Sequence, residues 1–289
     1  MKAIIFGANG QDGFYLSKLL EEENVEVIGV SRKGDFLKID ISNFDEVSNL
    51  ITQSTPDFVF HLAANSTTRH DALFENHNTI ATGTLNILEA VFKFSPNTKV
   101  FISGSGLQFI NKGIPIKESD AFSANDAYSI SRIQSVYAAR YFRSLGVNVY
   151  VGYFFNHDSP LRSERHVTKM ISETVKRIAA GSKEKLEIGN MSVVKDWSYA
   201  GDIVKGIWLL VNQNEIFEAN ISNGEGYSIK EWIAECFKLI NKNYEDYVVV
   251  NDKFITSYKK LVSVNDLIVS IGYKPTIDFK KLAILMMND

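Results

Sequence analysis

The chain has 289 residues, 45% of them hydrophobic, and a formal net charge of −3. That is enough apolar material for one large α/β domain, or for a domain that carries a smaller lobe. The near balance of charge, with no run of one sign, leaves no electrostatic footprint for nucleic acid. No apolar run reaches bilayer length, so no membrane partner is expected.

The strand pattern starts directly after Met1-Lys2, with no targeting segment ahead of it, and a soluble cytoplasmic protein is expected. The apolar run Ala3-Ile4-Ile5-Phe6 enters Gly7-Ala8-Asn9-Gly10-Gln11-Asp12-Gly13, and a helical pattern containing Tyr15, Leu16 and Leu19 follows. Strand, glycine-rich turn, helix is the order of a dinucleotide-binding unit. Gly7 suits the tight turn, Gly10 the close approach of backbone to a pyrophosphate, and Gly13 the packing of helix on strand. The pyrophosphate then sits at the helix N-terminus, with Asn9, Gln11 and Asp12 around it. A second strand over 25–30 leads into Ser31-Arg32-Lys33. An acid for the ribose 2′-hydroxyl is absent at that point and two cations are present, so NADP is expected rather than NAD. Asp40 and Ile41 are placed to meet the adenine.

Further along, strands are predicted over 57–62, 99–103 and 147–153, with helices over 78–94 and 127–145 between them. Such alternation means a doubly wound parallel sheet with right-handed crossovers. After Phe155 a polar segment, a helix over 167–180 and shorter elements follow. A return to the sheet is expected around 193–210, and the single cysteine, Cys236, reads as a small buried hydrophobe in a helix over 229–240. The expected organisation is α/β: a Rossmann-type domain over 1–155, rejoined by 193–212, and a smaller α/β substrate-binding lobe made of 156–192 and 213–289. Ligands of such sheets bind beyond the carboxyl ends of the strands, which puts the cleft between sheet and lobe. No metal ligand set is expected.

Tyr128 and Arg132 stand four residues apart at the start of the long helix, on one face of it. A cation beside a phenol favours its ionised form, which suits a tyrosine to general acid–base work.

With the glycine motif, His61-Leu62-Ala63-Ala64 after the third strand and Tyr128 opening the long helix, the chain resembles the extended short-chain dehydrogenase/reductases of the epimerase/dehydratase family. Within them it is most similar to the GDP-mannose 4,6-dehydratase branch. The segments that carry this are Gly10-Gln11-Asp12-Gly13, Asn156-His157-Asp158-Ser159-Pro160, Val167-Thr168-Lys169, Gly189-Asn190 and Lys195-Asp196-Trp197.

The resemblance implies a site of three parts: a Ser or Thr hydroxyl after the fourth strand, a Tyr, and a Lys four residues later. It also implies cofactor contacts from Leu62, Ala63, Ala64, Tyr128 and Arg132. Here the hydroxyl position is Gly104, the branch's glutamate position is Gly106 and the lysine is Arg132; only Tyr128 keeps its type. Ser103 or Ser105 is then the expected source of the hydroxyl. Loss of the glutamate argues against 4,6-dehydration, which needs a general acid/base beyond the tyrosine. The resemblance further implies that Asn156, Arg162, Lys169 and Lys195 contact a nucleotide-diphosphate sugar, whose diphosphate needs cations.

Two readings result. The first is an NADP-dependent reductase or epimerase acting at C4 of a 4-keto sugar; the second is a cofactor-binding partner or sensor without turnover. A homodimer is also expected, through the helices over 78–94 and 127–145, whose Ile87, Val91, Val136, Tyr137 and Tyr141 exceed one apolar stripe.

Overall fold

In a computed structural model, residues 1–251 and 258–288 are described; residues 252–257 and 289, inside the stretch expected to form the lobe, lie outside them. The first half alternates strand and helix: β1 (Lys2–Phe6), α1 (Gln11–Glu22), β2 (Glu26–Val30), α2 (Phe44–Ser54), β3 (Phe58–His61), α3 (Leu73–Asn76), α4 (Gly83–Phe94), β4 (Lys99–Ser105), α5 (Ala127–Ser144) and β5 (Val149–Phe154). The second half runs β6 (His157–Asp158), α6 (Val167–Ala179), β7 (Leu186–Ile188), β8 (Val194–Asp196), β9 (Ser198–Tyr199), α7 (Ala200–Val211) and β10 (Glu218–Ile221). It ends with β11 (Gly226–Ser228), α8 (Ile229–Leu239), β12 (Val248–Val250), β13 (Lys260–Leu261), α9 (Asp266–Ser270) and α10 (Phe279–Met287).

Six strands form one parallel sheet in the order β10-β5-β4-β3-β1-β2. The central strands are apolar on both sides, as strands covered on both faces must be. On one face Ile4, Val59, Val100 and Val149 pack with Val47 of α2, Ile87 of α4 and Val136 of α5. On the other, Ile5, Phe60 and Phe101 pack with Leu16 of α1 and Ile207 of α7. A separate core joins α6, α8 and α10 into the lobe, where the Trp197 and Trp232 rings stack 5.0 Å apart. Cys236 is buried in it, as expected.

The chain leaves β1 toward β2 on one side and returns to β3 on the other. That reversal opens a crevice at the carboxyl ends of β1 and β3, where Gly7 and Leu62 stand.

Three expectations need correction. Residues 193–199 do not return to the main sheet: β8 pairs with β11 and β13 in the lobe, and β10, in the stretch assigned to the lobe, becomes the sixth strand. The reason is the crossover: α7 must lie on the sheet before its strand can pair in parallel with β5. The helix expected over 78–94 begins instead as a π-helical segment, His77–Thr82. Finally, Ile87, Val91 and Val136 are fully buried core residues, not excess surface. Exposed apolar side chains on α4 and α5 include Leu85, Phe92, Phe94, Ile130, Tyr137 and Tyr141.

Candidate active site

A continuous trough runs along the carboxyl edge of the sheet. It has a compartment of about 450 Å³ toward the lobe and a wider one of about 1240 Å³ toward β2, and Gly7, Asn9, Gly10, Leu62, Ala64 and Arg165 line both. Gly7 turns the chain out of β1 with φ of 96° and donates to the Val30 carbonyl at 2.9 Å. A Cβ there would stand 2.7 Å from the Ala63 nitrogen, and one at Gly13 only 2.4 Å from the Gly7 carbonyl oxygen. Both glycines are therefore enforced by backbone packing. Gly10 differs: among the described residues a Cβ would touch only the Gly7 oxygen, at 3.3 Å, and would project into the trough. Gly10 is also the N-cap of α1 and offers the first-turn N–H groups no side-chain acceptor.

Gln11, Asp12 and Gly13 line the smaller compartment; Arg32, Asp40, Ile41 and Ala63 line the larger one. Arg32 is exposed and meets Glu75 at 3.0 Å, and Glu75 also accepts from Asn65 at 2.8 Å. The Asp40 carboxylate accepts from the backbone and hydroxyl of Ser42, which hold it below the usual range. The trough thus brings together every residue that sequence reasoning assigned to a dinucleotide.

At the lobe end, Asp126 caps α5 by accepting from the Tyr128 and Ser129 nitrogens at 2.9 and 2.8 Å, which fixes Tyr128 in the first turn. The Arg132 guanidinium lies 5.0 Å from the centre of the Tyr128 ring. Its Nη1 donates to the carbonyl of Ser103 and, at 2.8 Å, to the Ser103 hydroxyl. That hydroxyl in turn donates to the His61 carbonyl at 2.9 Å. The Arg132 Nε, also buried, has no acceptor among the described residues. Burial and the neighbouring Arg132 push the His61 imidazole down to about 3.

Ser105 lines the cavity, and its oxygen accepts from the Leu107 nitrogen at 3.2 Å. No acceptor for its own proton is present among the described residues. Gly104 and Gly106 alternate with these serines and are closed off. A Cβ at 104 would stand 2.6 Å from Cδ1 of Tyr153, and one at 106 would stand 2.7 Å from Cε1 of Phe155. The Tyr153 ring cannot easily swing away, because its hydroxyl donates to Glu218 at 2.6 Å and Glu218 is held by Arg140 and Arg143.

On the lobe side, Asn156, Arg162, Arg165 and His166 face the smaller compartment. The Nδ1 of His166 lies 3.2 Å from Arg162 and its Nε2 lies 3.3 Å from Arg165. Burial and these two cations hold the ring neutral, down to about 3. Two of the expected substrate residues do not line the trough. Lys169 is buried on α6 and pairs with Glu173 at 2.9 Å. Lys195 extends over the ring of Tyr258, which does line the cavity.

Sequence reasoning did not single out Glu75, His157 or His166. His157 lay within a quoted motif; Glu75 carried no local signal.

A family model described as GDP-mannose 4,6 dehydratase matches residues 4–283. The GDP-mannose 4,6 dehydratase 2 of Arabidopsis thaliana is 28% identical, with 99% of this chain and 86% of that protein covered. Among solved structures, the UDP-glucose 4-epimerase of Thermotoga maritima with UDP-glucose superposes with a TM-score of 0.89 at 18% identity, covering 100% of this chain and 98% of that one. The RMD of Pseudomonas aeruginosa complexed with NADPH gives 0.86 at 19% identity, covering 99% and 97%. At such identities these two establish the fold.

Proposed function

The chain belongs to the GDP-mannose 4,6 dehydratase family, and we propose that within it this protein is an NADP-dependent reductase acting at C4 of a nucleotide-linked 4-keto sugar. One observation carries the reading: the rings of Tyr153 and Phe155 fill the room that side chains at 104 and 106 would need. Removing water across C5 and C6 of a 4-keto sugar requires a positioned acid/base besides the tyrosine. With Phe155 in place, no carboxylate stands at residue 106. Reduction needs a hydride and one acid, and Tyr128 suffices as the acid.

The trough fits a nicotinamide dinucleotide. Gly10 leaves backbone open beside an uncapped helix N-terminus, Arg32 and Lys33 line the far compartment, and the buried Nε–H of Arg132 has, among the described residues, no acceptor such as a ribose hydroxyl would supply. A bound nicotinamide supplies the hydride to C4 of the sugar. Tyr128 gives its hydroxyl proton to O4 as that oxygen gains charge. Ser105 donates a hydrogen bond to the same oxygen, since its proton is uncommitted, whereas the Ser103 proton is spent on His61. Ser103 acts instead through Arg132, holding the guanidinium against the Tyr128 ring. Asn156, Arg162 and Arg165 face the sugar diphosphate, and charge-assisted bonds from the two guanidiniums would hold it. We also assign the exposed face of α4 and α5 to a homodimer contact. Leu85 and Phe92, like Ile130 and Tyr137, are spaced seven apart on their helices and so share a face. A monomer at micromolar concentration in sedimentation counts against that contact.

The test is to incubate the chain with NADPH and GDP-, dTDP- or CDP-linked 4-keto-6-deoxy sugars and follow the absorbance of the reduced cofactor. Consumption of NADPH is expected. Interconversion of C4 epimers with the dinucleotide retained would make the protein an epimerase. Release of a 4-keto-6-deoxy sugar from GDP-mannose would overturn the proposal.

A further inference from the structure

The glycine-rich loop carries an acid beside the place where an anion would bind. Asp12 lies in the first turn of α1 and lines the trough with Gly10 and Gln11. A carboxylate there opposes a pyrophosphate unless something offsets it. The group that meets it is His157 on β6, 145 residues away in sequence. Its Nδ1 lies 2.8 Å from the Phe155 carbonyl oxygen, and its Nε2 lies 3.0 and 3.1 Å from the two oxygens of Asp12. A carbonyl oxygen only accepts, so Nδ1 carries a proton. A bare Nε2 would turn its lone pair on a carboxylate, so Nε2 carries one as well.

The other groups facing this ring do not take over that role. Arg162, which repels the charge, is drawn toward Asp158 at 3.3 Å, and His166 is neutral. Burial works against the charge on His157, and Asp12 outweighs it, raising the imidazole above its ordinary value while Asp12 falls below the carboxylate range. Two further bonds tie the same segments: Ser159 donates to the Gln11 side chain at 2.8 Å, and Gln11 donates to the His157 carbonyl at 3.4 Å.

We propose that His157 is a positioning residue for the cofactor: as an imidazolium it neutralises Asp12 and holds that carboxylate aside, so that a dinucleotide pyrophosphate can occupy the N-terminus of α1. The inference rests on the reading of the trough as a nicotinamide dinucleotide site. It couples the cofactor loop to the segment that faces the sugar.

The test reads binding, not turnover. NADPH is titrated calorimetrically into the full chain between pH 7 and 9.5, above the second ionisation of its 2′-phosphate at about 6. A histidine raised in the folded protein is charged below its shifted value and loses that charge as pH rises through it, so affinity should fall on the alkaline side. His157→Gln should weaken NADPH roughly tenfold at pH 7, from the loss of one charge partly screened by solvent. Asp12→Asn should show a flat pH profile, because no carboxylate is left for the imidazolium to offset. The double variant Asp12→Asn with His157→Gln should recover the affinity that His157→Gln alone loses, an outcome that mere loss of scaffolding would not produce. A double variant no better than the single one, or an affinity of the unaltered chain that stays constant to pH 9.5, overturns the inference. Failure of the unaltered chain to bind either NADPH or NADH overturns the cofactor reading itself.

Discussion

Gly10 and the pair Gly104 and Gly106 stand beside the same trough and mean opposite things. At Gly10 the missing side chain leaves space that faces the trough; at Gly104 and Gly106 it leaves space that the protein's own rings have filled. Gly7 and Gly13 support the first case by letting backbone pack on backbone. The lesson is that a glycine near a site is read by what occupies its Cβ volume. An open volume leaves room for a ligand, and a filled one shows which neighbour the glycine makes room for.

The largest effect expected from this contrast is at Gly10. Gly10→Val should reduce NADPH affinity by roughly 10³-fold, because its methyl groups would take the place of the pyrophosphate. Calorimetric titration showing unchanged affinity would break the comparison at its first term. Next comes Tyr128→Phe, which keeps the ring and removes the proton; turnover should drop by roughly 10²-fold with cofactor affinity little changed. Steady-state rates on a 4-keto sugar, set beside NADPH titrations, check both halves of that statement.

The filled pair predicts a cost in stability. Gly104→Thr and Gly106→Glu should each destabilise the fold by about 1–3 kcal/mol, the usual range for overpacking. Denaturant unfolding measures it, and a neutral result at either position would show that the rings yield. Neither variant alone should release a 4-keto-6-deoxy sugar from GDP-mannose. The smallest expected effect separates the two serines. Ser105→Ala should lower turnover by roughly tenfold, as for the loss of one donor to the reacting oxygen, beside the roughly 1 kcal/mol cost of losing its bond from the Leu107 nitrogen. Ser103→Ala should instead lower stability, because it unties Arg132 from His61. If Ser103→Ala proves the more damaging to rate at unchanged stability, the assignment of the hydroxyl reverses.

The parallel sheet was legible because buried strands are continuous apolar runs, such as Val59 with its neighbours and Val100-Phe101-Ile102. The sixth strand was not. Its four residues include Glu218, which pairs with Arg140 and Arg143, and Asn220, whose amide donates to the Ile116 and Val264 carbonyls. Polar groups satisfied by distant partners leave no periodicity in the strand that carries them. The same holds at the site. Gly7, Gly10 and Gly13 declare themselves within seven residues, since turn, phosphate approach and helix packing are local demands. The filling of Gly106 by Phe155, and of the Asp12 neighbourhood by His157, are contacts between elements far apart in the chain. Arg132 was legible as a cation beside Tyr128, but not as a donor to Ser103, because that bond depends on how α5 packs on β4.

The packed rings also constrain the mutational paths open to this protein. Tyr153 and Phe155 both belong to the core on the α4–α5 face of the sheet, so shortening either one first leaves a cavity costing about 3–5 kcal/mol for an aromatic-to-alanine change. Adding a side chain at Gly104 or Gly106 first produces a clash instead. Whichever residue changes first, the intermediate protein is less stable than its ancestor, and natural domains have only about 5–15 kcal/mol in reserve. The glycines and rings therefore act as a ratchet. A lineage that has acquired them keeps both glycines through the packing of its core.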